Sequence, residues 1–157
     1  MKNFIAESVT FMHPDKICDQ ISDALLDAFL AQDPTSRVAI ETAGGHGHVG
    51  IFGEITSKAE IDIKTEVKNF YKKLTGKDIE VTVYVSKQSP EIAAGVNTGG
   101  AGDQGIMIGY ACNENELYMP HEMYLCRKLL AGVTTDAKSQ VVIMDGKIQS
   151  IVLSVQG

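Results

Sequence analysis

Three short polar clusters carry residue types that handle phosphates and metal ions. The first, His13-Pro14-Asp15-Lys16, opens a predicted helix, whose free amides and positive dipole end favour anions. There Asp15 can ligate Mg²⁺, Lys16 can hold a phosphate and His13 can hydrogen-bond a leaving oxygen. An ordinary capped helix with exposed charges fits the same residues. Taken alone, the cluster leaves both interpretations open.

The other two clusters are equally open when each is taken alone. Asp136 and Lys138 stand just before a predicted strand, where both residue types are common. Residues 100–105, GAGDQG, match the dinucleotide pattern GxGxxG, but they precede a predicted strand instead of joining a strand to a helix. A Rossmann site is therefore excluded. What remains is an ordinary loop, or a glycine-rich turn in which Asp103 holds an ammonium group or a metal-bound water.

Periodic helices and strands must position these clusters. Helices are predicted at 14–31, from the capping pair Ser57 and Glu60 to Gly76, and at 120–131. Strands are predicted at 37–42, 49–55, 79–85, 105–110, 139–144 and 147–155, the last two joined at Asp145-Gly146. His46 and His48, between the first two of these strands, are spaced like metal ligands. Because no third ligand is nearby, we favour a plain hairpin turn.

The order of these elements repeats along the chain. Residues 1–98 read as strand, helix, strand, strand, helix, strand, whereas residues 99–157 read as strand, helix, strand, strand. We therefore expect an α+β fold of repeated β-α-β-β-α-β units with helices packed on mixed sheets. The second unit, at 99–157, is incomplete and would leave an apolar face and a strand edge for something else to cover. Alternatively, the tail packs on the first unit.

Composition excludes several classes of function. A net charge of −6 without a lysine or arginine cluster argues against a nucleic-acid surface. No apolar run approaches the roughly 20 residues that span a bilayer, and the first residues lack a secretory apolar stretch. Cys18, Cys112 and Cys126 form no CxxC pair and are expected to be free thiols. We expect a cytoplasmic protein that binds neither nucleic acid nor membrane.

Taken together, the motifs are more specific than any one of them. HPDKICDQISDA, the Glu41-Thr42 pair, GEIT at 53–56, KQSPEI, GAGDQGIMIGYACNE and DAKSQV follow one another between Glu7 and Gln156. In this order and approximate spacing they resemble the methionine adenosyltransferases, also called S-adenosylmethionine synthetases. GAGDQG followed by a GY pair is highly specific to that family. The resemblance covers less than half of a typical member.

The resemblance implies an activity and a set of ATP-site residues. Family members join ATP and L-methionine into S-adenosylmethionine and hydrolyse the released triphosphate, using Mg²⁺ and K⁺. By position, His13 matches a histidine near the breaking C5′ oxygen bond, and Lys16 and Lys138 match phosphate contacts, so these three are the implied catalytic residues. Asp15 matches a Mg²⁺ ligand, and Asp136 matches a residue contacting the adenosine part of ATP.

The resemblance also implies residues of the methionine site and the K⁺ site. The sequence of this chain nevertheless departs from the family in three places. Glu41 matches the K⁺ ligand, Glu54 and Gln88 match the methionine site, and Asp103 matches a residue that positions methionine. The segment before GAGDQG is shorter than the family's gating loop, and an insertion before Asp136 is missing. The later cations of the triphosphate site and the GGGAFS-type segment have no counterpart.

Two classes of function remain in competition. The first is the amino-terminal portion of a methionine adenosyltransferase that needs a missing carboxy-terminal half or a partner chain. Because family sites lie between subunits, a homo-oligomer, or a hetero-oligomer with the chain supplying the missing domains, is expected. The alternative is a non-catalytic docking or regulatory module that binds a full-length methionine adenosyltransferase. A decayed fragment is disfavoured by the intact periodicities.

Overall fold

The described residues, 3–87, 99–101 and 104–157 of this computed structural model, form three helices and six strands. In chain order the elements are β1 (Asn3–Val9), α1 (Pro14–Gln32), β2 (Arg37–Gly45), β3 (His48–Thr56), α2 (Ile63–Thr75), β4 (Glu80–Ser86), α3 (His121–Leu129), β5 (Ala137–Met144) and β6 (Lys147–Val155). The predicted α+β class is confirmed. The chain divides into two compact units, one of Met1–Lys16 with Met107–Gly157 and one of Ile17–Ile106.

None of the described helices combines the length and apolar composition needed to cross a bilayer.

In the unit of Ile17–Ile106, helices pack on a mixed three-stranded sheet. Strand β2 pairs antiparallel with β3, and β3 pairs parallel with β4. A parallel pair needs a long crossover, which α2 supplies between β3 and β4. The core contains Ile21 and Leu25 of α1, Val67 of α2, and Ile51 and Val81 of the sheet. These residues recur at the helical and strand periods that predicted the elements.

The hairpin between β2 and β3 closes as a simple turn. His46 and Gly47 occupy its two central positions with φ of 53° and 80°, the left-handed backbone that two-residue hairpin loops require. His48 uses its Nε2 atom in a hydrogen bond of 3.0 Å with the Thr82 hydroxyl. The plain hairpin turn is confirmed.

Helix α2 ends where the sequence predicts and begins later than predicted. Gly76 closes it in the left-handed conformation, with φ of 74°. Its first turn, however, is capped by Asp62, whose side chain accepts from the amides of Lys64 and Thr65. Ser57 instead accepts from the amide of Ala59 in the preceding loop. The Ser57 and Glu60 capping pair was wrong because Asp62 offers a stronger, charged cap nearer the helix.

The unit of Met1–Lys16 and Met107–Gly157 is built on an antiparallel sheet in the order β1-β5-β6. The β5-β6 hairpin turns at Asp145 and Gly146, with φ of 48° and 76°, as predicted. Helix α3 covers one face of the sheet, where Cys126 packs with Ala6 and Val141. Side chains on the opposite face, which include Glu7, Lys138 and Gln140, are not covered by the helix.

The strand predicted at 105–110 is absent from the described part of the chain. Gly105 to Tyr110 make no ladder there, and Ile106 and Met107 are more than nine-tenths exposed. In its place β1 pairs with β5 along seven residues, and β6 takes the other side of β5. The prediction failed because a strand is stable only where a neighbour pairs its backbone, and both sides of β5 are occupied.

Candidate functional site

Thr10 joins the first and second polar clusters. Its amide donates to the Ala137 carbonyl at 3.0 Å, and its hydroxyl accepts from the Ala137 amide at 3.0 Å and donates to the Thr135 carbonyl at 2.8 Å. Thr10 is buried, so these bonds are protected from water. Ala137 lies between Asp136 and Lys138. The start of α1 and the start of β5 are therefore held side by side.

The first cluster adopts a compact turn at the start of α1. The His13 amide donates to the Thr10 carbonyl at 3.1 Å, and His13 Nδ1 accepts from the Asp15 amide at 3.2 Å. The Asp15 carboxylate lies 3.7 Å from the same ring nitrogen, with 89% of its side chain exposed. The ring thus serves as a side-chain cap for the helix. The Asp15 carboxylate stays accessible to solvent.

Lys138 forms a short ion pair with Glu7. Its ammonium group lies 2.7 Å from Oε2 of Glu7, and the Gln140 amide donates to Oε1 of Glu7 at 2.7 Å. The hydrogen bond from Lys138, followed by that from Gln140, lowers the pKa of Glu7. The Glu7 carboxylate raises the pKa of Lys138, and the charge of Asp15 adds to that effect. Lys138 therefore stays a cation over a wide pH range.

A cavity of about 700 Å³ extends from Glu7 along the loop that leads into the first cluster. Lys16 lines it, together with Arg127 of α3 and an apolar wall that includes Met123 and Leu130. Two cations and one carboxylate are the charged residues of the lining, which contrasts with the net charge of −6 of the whole chain. The cavity therefore favours an anionic group next to an apolar one.

Asp136 is fixed mainly through its backbone. It is half-buried, and its carbonyl accepts from the Gln156 amide at 2.9 Å, just beyond β6. Thr135 and Ala137 on either side are both held by Thr10. The hydrogen bonds of Thr10 to both neighbours of Asp136 fix the backbone from which the Asp136 side chain extends.

Glu41 and Glu54 belong to the other compact unit, where they share one face of its sheet. Glu41 lies opposite Phe52 in the β2-β3 ladder, and Glu54 lies two residues further along β3. The Phe52 ring stacks on Tyr84 with centroids 5.4 Å apart and planes inclined by 8°. The two carboxylates thus flank an aromatic pair on the face opposite to Ile51 and the helices.

Two of the predicted methionine-site residues cannot be placed, and the described residues contain no cluster of metal ligands. Gln88 and Asp103 lie outside the residues that the structure describes. Over residues 3–87, 99–101 and 104–157, no group of three or more His, Cys, Asp or Glu side chains converges as a metal site.

Sequence reasoning missed Thr10, Glu7, Gln140 and Arg127. The register that places Glu7 opposite Gln140 spans 133 residues, which no local pattern encodes. Arg127 carries a weak signal, since it lies near the C-terminal end of a predicted helix, where cations are common. The buried hydroxyl of Thr10 follows no periodic pattern.

Comparison with known proteins gives a consistent result over most of the chain. Residues 1–90 match the family model of the S-adenosylmethionine synthetase N-terminal domain, and residues 98–156 match that of the S-adenosylmethionine synthetase central domain. A protein named S-adenosylmethionine synthase from Synechococcus sp. (strain CC9605) is 45% identical over 170 residues, covering 93% of this chain. One of the same name from Prochlorococcus marinus (strain MIT 9211) is 45% identical over 174 residues, covering 96%.

The chain spans 41% of the Synechococcus protein and 42% of the Prochlorococcus protein. The part in common is the amino-terminal domain together with the central domain segment that contains β5 and β6. Two successive family models thus match the same chain in the family's order, which the motifs had indicated. The chain belongs to the S-adenosylmethionine synthetase family.

Proposed function

We propose that this chain supplies the amino-terminal part of an active site that forms S-adenosylmethionine from ATP and L-methionine and hydrolyses the released triphosphate. The observation that carries the proposal is the attachment of Thr10 to Ala137, which holds the His13 turn beside Lys138. Two clusters with phosphate-binding residue types thereby lie on one compact unit. The family membership supplies the reaction.

The demands of this reaction match the residues of the site. The thioether sulfur of methionine attacks C5′ of ATP as a neutral species, so the step needs no general base. The barrier falls instead through alignment of the reactants and through stabilisation of the charge that builds on the triphosphate. In our proposal His13 hydrogen-bonds near the breaking C5′ oxygen bond, and Lys16 and Lys138 hold the phosphate chain.

In this proposal the remaining predicted residues bind the nucleoside, the methionine and the metal ions. Asp136 contacts the adenosine part of ATP. Glu54, Gln88 and Asp103 contact methionine. Asp15 would hold Mg²⁺, and Glu41 would hold K⁺. Bound Mg²⁺ would neutralise charge on the phosphate chain.

The site needs chain beyond these residues in order to work. The relatives named S-adenosylmethionine synthase are more than twice as long as the matching part, and the later cationic segments of the family have no counterpart here. We infer that the remaining domains, in the same or another polypeptide, complete the triphosphate site, and that oligomerisation and a cytoplasmic location accompany the activity. The division into repeats at 1–98 and 99–157 belongs to this proposal.

Calorimetry with Mg²⁺-ATP tests the ATP-site assignment. We expect the 157-residue chain to bind Mg²⁺-ATP and Lys138→Met to weaken that binding by about tenfold to a hundredfold, because a charge-assisted phosphate contact is lost. Lys72→Met is the matched control, since Lys72 forms an exposed ion pair of 2.9 Å with Asp78 within the other compact unit. Equal affinity of the two variants would contradict the assignment of Lys138.

A further inference from the structure

Helices α1 and α2 leave an open space between them, which we call the helix cleft. It has a volume of about 510 Å³, and its lining is drawn entirely from these two helices. Pockets that hold small organic molecules commonly measure about 300 to 1,000 Å³. All of the lining belongs to the compact unit of Ile17–Ile106. The helix cleft is therefore separate from the cavity that Lys16 and Arg127 line.

The base and the walls of the helix cleft are apolar. Leu25 of α1 and Val67 of α2 form part of its base and belong to the buried core, with 1% of each exposed. Ala24 and Ala28, one turn apart, form the α1 wall, and the half-buried Phe70 forms part of the α2 wall. Because alanine carries only a methyl group, these two positions leave open the space that larger side chains fill between packed helices. An apolar group that enters the cleft would contact the alanine methyls and the phenyl ring.

The rim of the helix cleft carries more negative than positive charge. Asp27 of α1 and Glu66 of α2 contribute one carboxylate each, and Lys73 is the cation among the described lining residues. All three side chains are exposed. Glu66 and Lys73 are seven residues apart, which is about 10 Å along the helix axis, so Lys73 does not lie beside Glu66. Within the described part of the chain, neither carboxylate takes part in a hydrogen bond or an ion pair, so both are available to a ligand.

We propose that the helix cleft binds a small amphipathic cation, an organic amine with an aryl or alkyl body. The apolar body lies between Ala28 and Phe70, where its removal from water favours binding. The ammonium group stays at the rim with Asp27 and Glu66. The net charge of −6 of the whole chain adds to the attraction of a cation. This preference is opposite to that of the anion-favouring cavity in the other compact unit, and it does not depend on the proposed function.

Probes that share one apolar body and differ in charge test the inference on the full 157-residue chain. Phenylbutylamine is the cation, phenylbutanol the neutral probe and phenylbutyrate the anion. Their affinities are measured by NMR titration of the methyl signals of Leu25 and Val67, at the base of the cleft. We expect the amine to bind at least about tenfold more tightly than the carboxylate, with the alcohol between them, because the rim attracts cations and repels anions. The methyl signals of Val141, in the core of the other unit, should not move with the amine.

Charge variants test the rim. Asp27→Asn and Glu66→Gln should each weaken binding of the amine by about twofold to fivefold, which is the effect of removing one exposed opposite charge. Both variants should leave the affinity for phenylbutanol unchanged. Asp23→Asn is the matched control, because Asp23 is an exposed aspartate of the same helix that does not line the cleft.

A filling variant tests the apolar wall. Ala28→Leu places a larger side chain in the cleft and should weaken binding of the amine by at least about tenfold, because the ligand's apolar body loses its place. Ala31→Leu is the matched control, since Ala31 is exposed on the same helix outside the lining. Circular dichroism that is the same in all variants shows that the fold is retained.

Three results would overturn the inference. Equal affinity for phenylbutylamine and phenylbutyrate removes the charge preference of the rim. Unmoved Leu25 and Val67 signals with the amine, or undiminished affinity in a folded Ala28→Leu chain, remove the cleft as the site. A helical leucine-lysine peptide that moves these signals where the amine does not would assign the cleft to a protein partner instead. Failure to form S-adenosylmethionine in the presence of the remaining domains would refute the proposed function and leave binding of the amine standing.

Discussion

Ser139 is the buried residue on which the geometry of β5 beside the site depends most directly. It lies between Lys138 and Gln140, its side chain is fully buried, and its hydroxyl donates to the Cys126 carbonyl at 2.8 Å. Cys126 is one of the last four residues of α3, whose carbonyls lack partners within the helix. Its own thiol donates to the Ala6 carbonyl of β1 at 3.1 Å. Ser139 thus ties β5 to a helix that also contacts β1.

Replacement of Ser139 by alanine leaves that buried carbonyl without its side-chain donor. Such a loss costs about 1 to 3 kcal/mol, which corresponds to about a 5-fold to 150-fold increase in the population of the opened state. The shape change is one oxygen atom, so the cavity term is small. The loss should fall on the local opening of the unit that contains β5.

The Cys126 thiol reports this opening. It is fully buried, and burial raises its pKa, so a thiol reagent reaches the reactive form only after the structure opens. Labelling followed by mass spectrometry should show Cys126 modified about 5-fold to 150-fold faster in Ser139→Ala than in the native chain. Cys18 and Cys112, which are half-buried, serve as internal references for reagent reactivity.

Ser154→Ala is the matched control, because the same substitution there falls on an exposed position of β6. It should change the free energy of opening by less than about 0.5 kcal/mol. If Cys126 in Ser139→Ala is labelled within twofold of the native rate, the hydrogen bond does not secure β5, and the structural support proposed for Lys138 is refuted.

Three further predictions concern the other unit and the cavity. Hydrogen bonds from the Lys58 amide and from Thr35 lower the pKa of Asp33 to about 2, so the stability that its carboxylate contributes is complete above its ordinary pKa of 3.8 and is lost as the pH falls towards 2. In thermal unfolding, Asp33→Asn should therefore lack the loss of stability that the native chain shows between these pH values, and an unchanged pH dependence would contradict the assignment. In denaturant unfolding, Gly53→Ala should lower the free energy of unfolding by at least about 2 kcal/mol, because φ is 136° and a Cβ atom would lie 1.9 Å from the Ala39 carbonyl oxygen. Gly109→Ala is the control, because a Cβ atom there meets open space, and equal loss of stability in both variants would contradict backbone strain at Gly53. Arg127→Ala should weaken Mg²⁺-ATP binding by about threefold to tenfold in calorimetry, as loss of a cation from the cavity lining predicts, and unchanged affinity would exclude this cavity as the phosphate site.

Local features of the sequence were sufficient for most elements. The two hairpins follow from short turn signals, Asp145-Gly146 and the glycine-rich tip around Gly47, whose backbone conformations depend only on neighbouring residues. The helices follow from apolar residues at helical spacing, as at Ile21 and Leu25. The start of α2 was missed because two acceptable caps, Ser57 and Asp62, lie five residues apart, and only the fold decides between them.

Pairing between distant segments could not be predicted. Gly105 to Tyr110 has the composition of a strand, but β1 pairs with β5 from about 130 to 140 residues away. The same pairing creates the contacts of Glu7 with Lys138 and Gln140, so the residues around Lys138 were missed for the same reason. Residue types alone left His13, Asp15 and Lys138 as candidates for contacts with a phosphate or a metal ion, and the family resemblance assigned their predicted roles, whereas the contacts that hold them in place depend on register.

The most direct test of the proposed function is synthesis of S-adenosylmethionine by domain complementation. The 157-residue chain is mixed with a separately produced polypeptide that contains the remaining part of the Synechococcus relative, and product is measured with ATP, L-methionine, Mg²⁺ and K⁺. We expect product from the mixture, much less from either polypeptide alone, and loss of product when the chain carries Lys138→Met but not when it carries Lys72→Met. Robust synthesis by the 157-residue chain alone, or equal product with Lys138→Met, would contradict this expectation.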